Sequence, residues 1–210
     1  MTTTPAGPGP FKWIGGALCL DFNNTVDWDQ MQPTENERLT DVPRIVAWGV
    51  EAGLLSPGER RHWLREAVAP ARAERAVRAA HDARRIVHGL FYQLASGGRP
   101  ETTALSDLNR YLAGLPPQVT GTAGSRGFGW RWPAKTNWMA PVLWPVLWSA
   151  GQLLTSPELA RVKTCANQNC GWLFVDRSRK HNRRWCEMGI CGNRAKVQRF
   201  YARQKARRGE

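Results

Sequence analysis

Residues 165–194 read CANQNCGWLFVDRSRKHNRRWCEMGICGNR, a stretch that carries four of the chain's five cysteines. Cys165 and Cys170 are separated by four residues, as are Cys186 and Cys191, and fifteen residues lie between the pairs. Two short-spaced pairs joined by a hairpin-sized segment bring four thiolates to one point, and Zn²⁺ accepts four such ligands tetrahedrally. The four-residue spacers are longer than the commonest two-residue knuckle. The paired arrangement still favours a structural four-cysteine zinc site over two disulfides or four buried thiols. His181 is an alternative ligand, but among Arg179, Lys180, Arg183 and Arg184 it is expected to face solvent. Four protein ligands close the coordination shell, which leaves no position for an activated water and speaks against hydrolytic zinc chemistry.

Outward from the cysteines, WLFV (172–175) reads as a short strand that can cover the metal. Residues 176–184 read as a basic loop holding Arg177, Arg179, Lys180, Arg183 and Arg184. After Cys191 the sequence is helix-compatible to Arg208. At about 100° per residue, Val197, Phe200, Tyr201 and Gln204 share a face expected to pack, with the two aromatics as anchors. Lys196, Arg199, Arg203 and Arg207 form an adjacent cationic ridge suited to a groove or a phosphate track. Arg194 lies off that ridge. It is expected either to clamp the zinc loop, through its carbonyls or thiolates or through Asp176, or to contact DNA, with the clamp preferred. The finger is expected to need metal for folding and to unfold alone when Cys191 is lost, leaving the N-terminal domain cooperative.

Charge separates the same segment from the rest. Residues 161–210 hold fourteen Lys and Arg against three Asp and Glu, whereas residues 1–160 hold sixteen against fourteen. A near-neutral body with a basic tail implies a polyanionic partner, most often nucleic acid. No run approaches the ~20 apolar residues of a membrane span; the most apolar, MAPVLWPVLW at 139–148, contains two prolines. The start, MTTTPAGPGP, lacks the basic and apolar parts of a signal peptide and reads as a flexible lead over 1–10. With an odd cysteine count concentrated in one module, a reducing cytoplasmic location is expected.

The body, 11–156, reads as mainly helical with a small sheet. Leu18, Leu20 and Phe22 alternate with Cys19 and Asp21, which predicts a strand over 13–22. Cys19 is expected to be a small buried hydrophobe. Thr40 or Asp41 caps a helix to Glu51 that Gly53 ends, and Ser56-Pro57 opens another. Ala73, Val77, Ala80, Val87, Leu90 and Leu94 stripe a long amphipathic helix over 71–95, its arginines 72, 75, 78 and 85 on the solvated side. A short helix near 104–113, a loop over 114–137 broken by a strand at Phe128, Trp130 and Trp132, and an apolar helix over 138–154 complete it. The fold class is α+β: this body, then a four-cysteine zinc finger over 161–208 made of a β-hairpin and a C-terminal helix.

Cys191-Gly192-Asn193-Arg194, with nearly all of the text from Cys165 to Arg203, resembles the CGNR zinc-finger family. GGALCLDFNNT (15–25) resembles the ABATE domain usually paired with that finger. The resemblance covers most of the chain and is most specific over 161–203. It implies zinc on Cys165, Cys170, Cys186 and Cys191, and nucleic-acid contacts from Arg194, Lys196, Arg183 and Arg184. It also implies a stress-induced transcription regulator. Glu187 departs from the small polar residue more usual there and weakens the case for a phosphate contact at that point. No N-terminal ligand is implied. Asp21 and Asn24 are conceivable pocket residues, but a turn or cap is the preferred reading.

The function expected is therefore a zinc-dependent regulator that binds duplex DNA, with the tryptophan-rich domain sensing an unidentified effector or forming a homodimer to match a two-fold site. The alternatives are an RNA-binding zinc protein and a redox sensor using the thiolates. An enzyme is not expected, since GxSxG, P-loop, HExxH and dinucleotide glycine patterns are all missing.

Overall fold

The computed structural model describes residues 11–29, 32–33, 36–66, 69–100, 102–114, 118–121, 128–131, 139–167 and 170–208. The expected lead 1–10, Trp132 and Trp138 lie outside them. In chain order the elements are α1 (Leu18–Asn23), β1 (Trp28–Asp29), β2 (Gln32–Pro33), α2 (Val42–Glu51), α3 (Pro57–Glu66), α4 (Pro70–Ala95) and α5 (Thr102–Gly114). There follow β3 (Gln118–Gly121), β4 (Phe128–Arg131), α6 (Ala140–Leu154), β5 (Val162–Thr164), β6 (Leu173–Val175) and α7 (Asn193–Arg208). Successive strands pair into three antiparallel ribbons. A helical body, a small sheet beside the cysteines and a C-terminal helix make the fold α+β.

Local chemistry sets most helix starts. The Asp41 carboxylate accepts from the Arg44 N–H at 2.9 Å, and Gly53, at φ 71°, turns the chain out of α2. Ser56 and Glu59 exchange side-chain-to-backbone bonds of 3.2 and 2.7 Å, a capping box. Pro70 opens α4, and Pro145 lies inside α6. β3 occupies part of the region expected to be loop, pairing Val119 with Trp130.

The strand expected over 13–22 is instead α1. Cys19, Leu20, Phe22 and Asn23 are all buried, because this helix is enclosed by α6, α4 and β6. With four of its six residues buried and Leu18 and Asp21 half-buried, α1 has no solvent face to reveal a helical period, and its alternation over five residues is accidental. Cys19 is fully buried, and burial pushes its thiol up to about 12, consistent with a core role.

Arg84 was not expected in the core. It is buried on α4, where its guanidinium forks onto both Glu37 carboxylate oxygens and donates to Thr25 Oγ1 at 2.9 Å. Burial would raise the Glu37 carboxyl, but Arg84 and the Leu39 N–H hold it below its ordinary value. This pair fastens the segment before α2 to α4.

β6 is the wall between two cores. Leu173 and Val175 belong to the large helical core, while Phe174 packs with the four finger cysteines, Val26 and Trp28. Its edge away from β5 is closed by the N-terminal segment: Gly15 O accepts from the Val175 N–H at 2.8 Å, and the Asn24 carboxamide bonds Leu173. The finger is therefore packed into the body rather than hung from it.

Candidate metal centre and nucleic-acid interface

The cysteine knuckles are shaped by backbone bonds. Cys165 N–H donates to Trp172 O at 2.8 Å, Cys170 N–H to Asn167 O at 3.1 Å, and Cys191 N–H to Glu187 O at 3.0 Å within a π-helical turn, Met188–Gly192. Gly171 adopts φ 62° against Trp28, where a Cβ would stand 2.4 Å from the Trp28 Cβ. At Gly192 a Cβ would meet Met188 Sδ at 2.5 Å, so a larger residue there would have to turn the exposed Met188 side chain aside.

All four thiols are buried, and their sulfurs lie within 4.8 Å of one another. Cys186 Sγ is 3.5 Å from Cys191 Sγ and 3.6 Å from Cys170 Sγ. A tetrahedral ion with bonds of about 2.3 Å has ligand–ligand edges of about 3.8 Å, so this is a four-cysteine metal-binding site. The charge balance agrees. Hydrogen bonds from Cys170 and Cys186 pull the Cys165 thiol down to about 2, while those same bonds push Cys170 and Cys186 far up. Thiolates this close repel one another, and a divalent ion among them would offset that repulsion.

The basic loop divides by role. Arg177 makes two 2.7 Å bonds to the Glu158 carboxylate. The Arg183 guanidinium donates to the carbonyls of Trp185 (3.0 Å), Ile14 (3.3 Å) and Cys186, and lies 4.2 Å over the Phe174 ring. Arg179, Lys180 and Arg184 are exposed, Arg184 resting 5.3 Å over Trp185. Asp176 organises the loop. Burial would raise its carboxyl, but the Lys163 ammonium at 2.6 Å, Ser178 and the Arg183 N–H hold it well below the carboxylate range. Glu187 stands 3.4 Å from Lys12 of the N-terminal segment. His181 is exposed, as expected, and outside the metal cluster.

On α7, Arg194, Lys196, Arg199 and Arg203 are exposed, and the Arg207 side chain lies outside the described residues. The clamp preferred for Arg194 is made by Arg183 instead, and Asp176 is taken by Lys163. The expected packed face is also corrected. Val197, Phe200 and Tyr201 are 54, 58 and 64% exposed. The helix turns Ala195, Gln198, Arg199 and Ala202 towards the knuckle, across a groove of about 400 Å³ whose far wall holds Asn167, Arg184 and Trp185. The wheel identified which residues share a face, not which face meets the body.

Asp21 Oδ1 accepts from the Gly15 N–H at 2.7 Å, and Asn24 joins Leu173 through both polar atoms of its carboxamide. A second cavity of about 530 Å³ lies between α4 and α5, lined in part by Trp28, His88 and Tyr111. There the Trp28 and His88 rings stack at 3.7 Å, the Trp28 indole donates to Asn23 O at 3.1 Å, and the Trp28 backbone N–H donates to Cys170 O at 3.1 Å. Among the described residues no helix is long and apolar enough to cross a membrane.

A family model described as "CGNR zinc finger" matches residues 161–204. A second, the ABATE model, described as "Putative stress-induced transcription regulator", matches residues 16–157. Neither description is of an enzyme. No curated protein matches the chain.

Proposed function

The chain belongs to the ABATE family, and from that premise we propose that it is a zinc-dependent transcription regulator that binds duplex DNA through the exposed cations of its finger. The observation that carries this reading is the groove in which Arg184 of the basic loop faces Arg199 of α7. Two cations on separate elements, held by one metal knuckle, suit successive phosphates of a backbone. Arg179, Lys180, Lys196 and Arg203 extend the cationic surface, and Arg194 joins it on the helix. Arg177 and Arg183 already serve protein acceptors and are assigned to holding the loop. Zinc would be bound by Cys165, Cys170, Cys186 and Cys191, and in a closed thiolate shell it supplies structure rather than a reactive position.

The N-terminal domain is assigned the sensing role. Its α4–α5 cavity is one side chain, Trp28, away from the Cys170 knuckle, so an effector there would bear on the metal module. A homodimer in the cytoplasm belongs to the same reading, since two copies would double a small footprint. The test is a salt titration of duplex binding by the metal-loaded chain, with Arg199→Glu/Arg203→Glu as the variant. The log–log slope should be about −0.9 for each phosphate neutralised. The double reversal should abolish binding while leaving zinc content and melting unchanged; unaltered binding would reduce the surface to a solvated face.

A further inference from the structure

α7 leaves an aromatic face in water that nothing in the body covers among the described residues. Val197, Phe200 and Tyr201 are each more than half exposed, and they lie on the side of the helix opposite Ala195, Gln198 and Ala202, which face the knuckle. Phe200 and Tyr201 form a T-shaped pair, ring centroids 5.8 Å apart at 70°. At about 100° per residue, the stripe is bordered by Lys196 and Arg203 on one edge and Arg194 on the other. Residues 193–208 contain no acidic side chain.

We propose that Phe200 and Tyr201 form a base-stacking site, and that the DNA engaged by this helix presents unpaired or unstacked bases rather than an unbroken duplex. The proposal rests on the nucleic-acid reading above and specifies its ligand. The occupant follows from the pattern. It must be anionic on both flanks of a narrow apolar track and offer flat apolar faces to two rings. A phosphodiester strand with open bases has both properties, and stacking with flanking arginine is the usual recognition of such strands. A second copy of α7 would set cationic edges against one another. A bilayer would gain only three apolar side chains, interrupted by the polar Gln204, which is too little for anchoring. Intact duplex exposes phosphates but not base faces, so it would leave the rings unused unless a step is opened by the rings themselves.

The experiment compares the metal-loaded full chain on a perfect DNA duplex and on the same duplex carrying a three-nucleotide single-stranded gap, at one fixed salt concentration. The parent should prefer the gapped duplex by about tenfold or more, the scale of one base–aromatic stack. Phe200→Ala/Tyr201→Ala should lose that preference while keeping the perfect-duplex affinity, the salt slope and the zinc content. Both rings are exposed, so the variant should fold; Phe200→Trp should restore the preference. A parent with equal affinity for both duplexes, or a double variant that keeps the preference, overturns this proposal and leaves duplex binding standing. A parent that binds neither overturns both readings. Tighter binding of the gapped RNA counterpart, or ring-dependent binding to anionic vesicles with DNA affinity unchanged, would reassign the face and also overturn it.

Discussion

The Asn24 carboxamide holds Leu173 by both of its backbone groups, accepting from the N–H at 3.0 Å and donating to the carbonyl at 2.9 Å. A side chain from the end of α1 thus acts as the missing neighbour strand of β6. Both backbone groups are buried, and removal of the carboxamide would leave them without partners. Asn24→Ala should therefore destabilise the chain by about 2–6 kcal/mol, one to three for each orphaned group. Asn24→Asp should fare little better, since it keeps the acceptor, loses the donor and buries a charge. Denaturant unfolding checks this, and a loss under about 0.5 kcal/mol, the range of ordinary surface changes, would mean that water replaces the carboxamide.

That contact spans 149 residues, which explains why nothing local announces it. What was legible is local: the two cysteine pairs, the Asp41 and Ser56–Glu59 caps, and the long stripe of α4. Arg84 had a readable signal, because it falls four residues after Ala80 and three before Val87, on the buried stripe. Its charge argued for solvent, and the partner that neutralises it, Glu37, lies 47 residues away. α1 is not legible, because burial of most of its six residues leaves no solvent face to mark a helical period. The orientation of α7 is not legible in its hydrophobic pattern, because the helix leaves Val197, Phe200 and Tyr201 exposed and turns Ala195, Gln198 and Ala202 to the groove beside the knuckle.

Metal removal should be felt by the whole chain. The Trp28 backbone N–H bonds Cys170 O, the Trp172 indole donates to Val26 O at 2.8 Å, and β6 contributes to both cores. The separate unfolding expected of an autonomous finger is not what this packing supports. Chelation, or Cys191→Ser, should lower the Tm of a single transition seen by tryptophan fluorescence and far-ultraviolet dichroism together. Structural zinc is worth ~10–16 kcal/mol in isolated finger peptides, so the shift should be large, and metal analysis of the parent should give one zinc per chain. An N-terminal transition that stays in place after metal loss would show two independent units.

Asp21 carries a pH signature. Burial pushes its carboxyl from the ordinary 3.8 up to about 7, opposed by the backbone N–H groups of Gly15 and Ile14 and by Arg177. Between about pH 4 and pH 7 the folded chain keeps a proton that the unfolded chain has released, so this group's contribution falls as pH rises and is fully lost above the folded value. Asp21→Asn keeps an acceptor for Gly15 and removes the buried charge. It should be close to neutral at pH 4 and stabilising by a few kcal/mol at pH 8. Urea unfolding of both proteins across that range gives the difference directly, in which the titrations of all other groups cancel. A difference independent of pH would mean that Asp21 stays ionised in the folded chain.

Arg183 and Arg194 should separate stability from binding. Arg183 reaches three carbonyls and the Phe174 face, a pattern that needs the planar fork of a guanidinium; lysine carries one charge point and cannot serve all of them. Arg183→Lys should therefore release metal to a competing chelator more readily and lower stability by about 2 kcal/mol, with the DNA salt slope retained. Arg194 is exposed at the start of α7, so Arg194→Lys should leave melting and metal retention at parental levels. Its charge persists, but a bidentate phosphate contact would be lost, and DNA affinity should fall about five- to tenfold. The two variants are compared by chelator competition and DNA titration on the same preparations. Faster zinc release from Arg194→Lys, with Arg183→Lys unaffected, would return the clamp to Arg194 and leave the Arg183 contacts without a role in holding the knuckle.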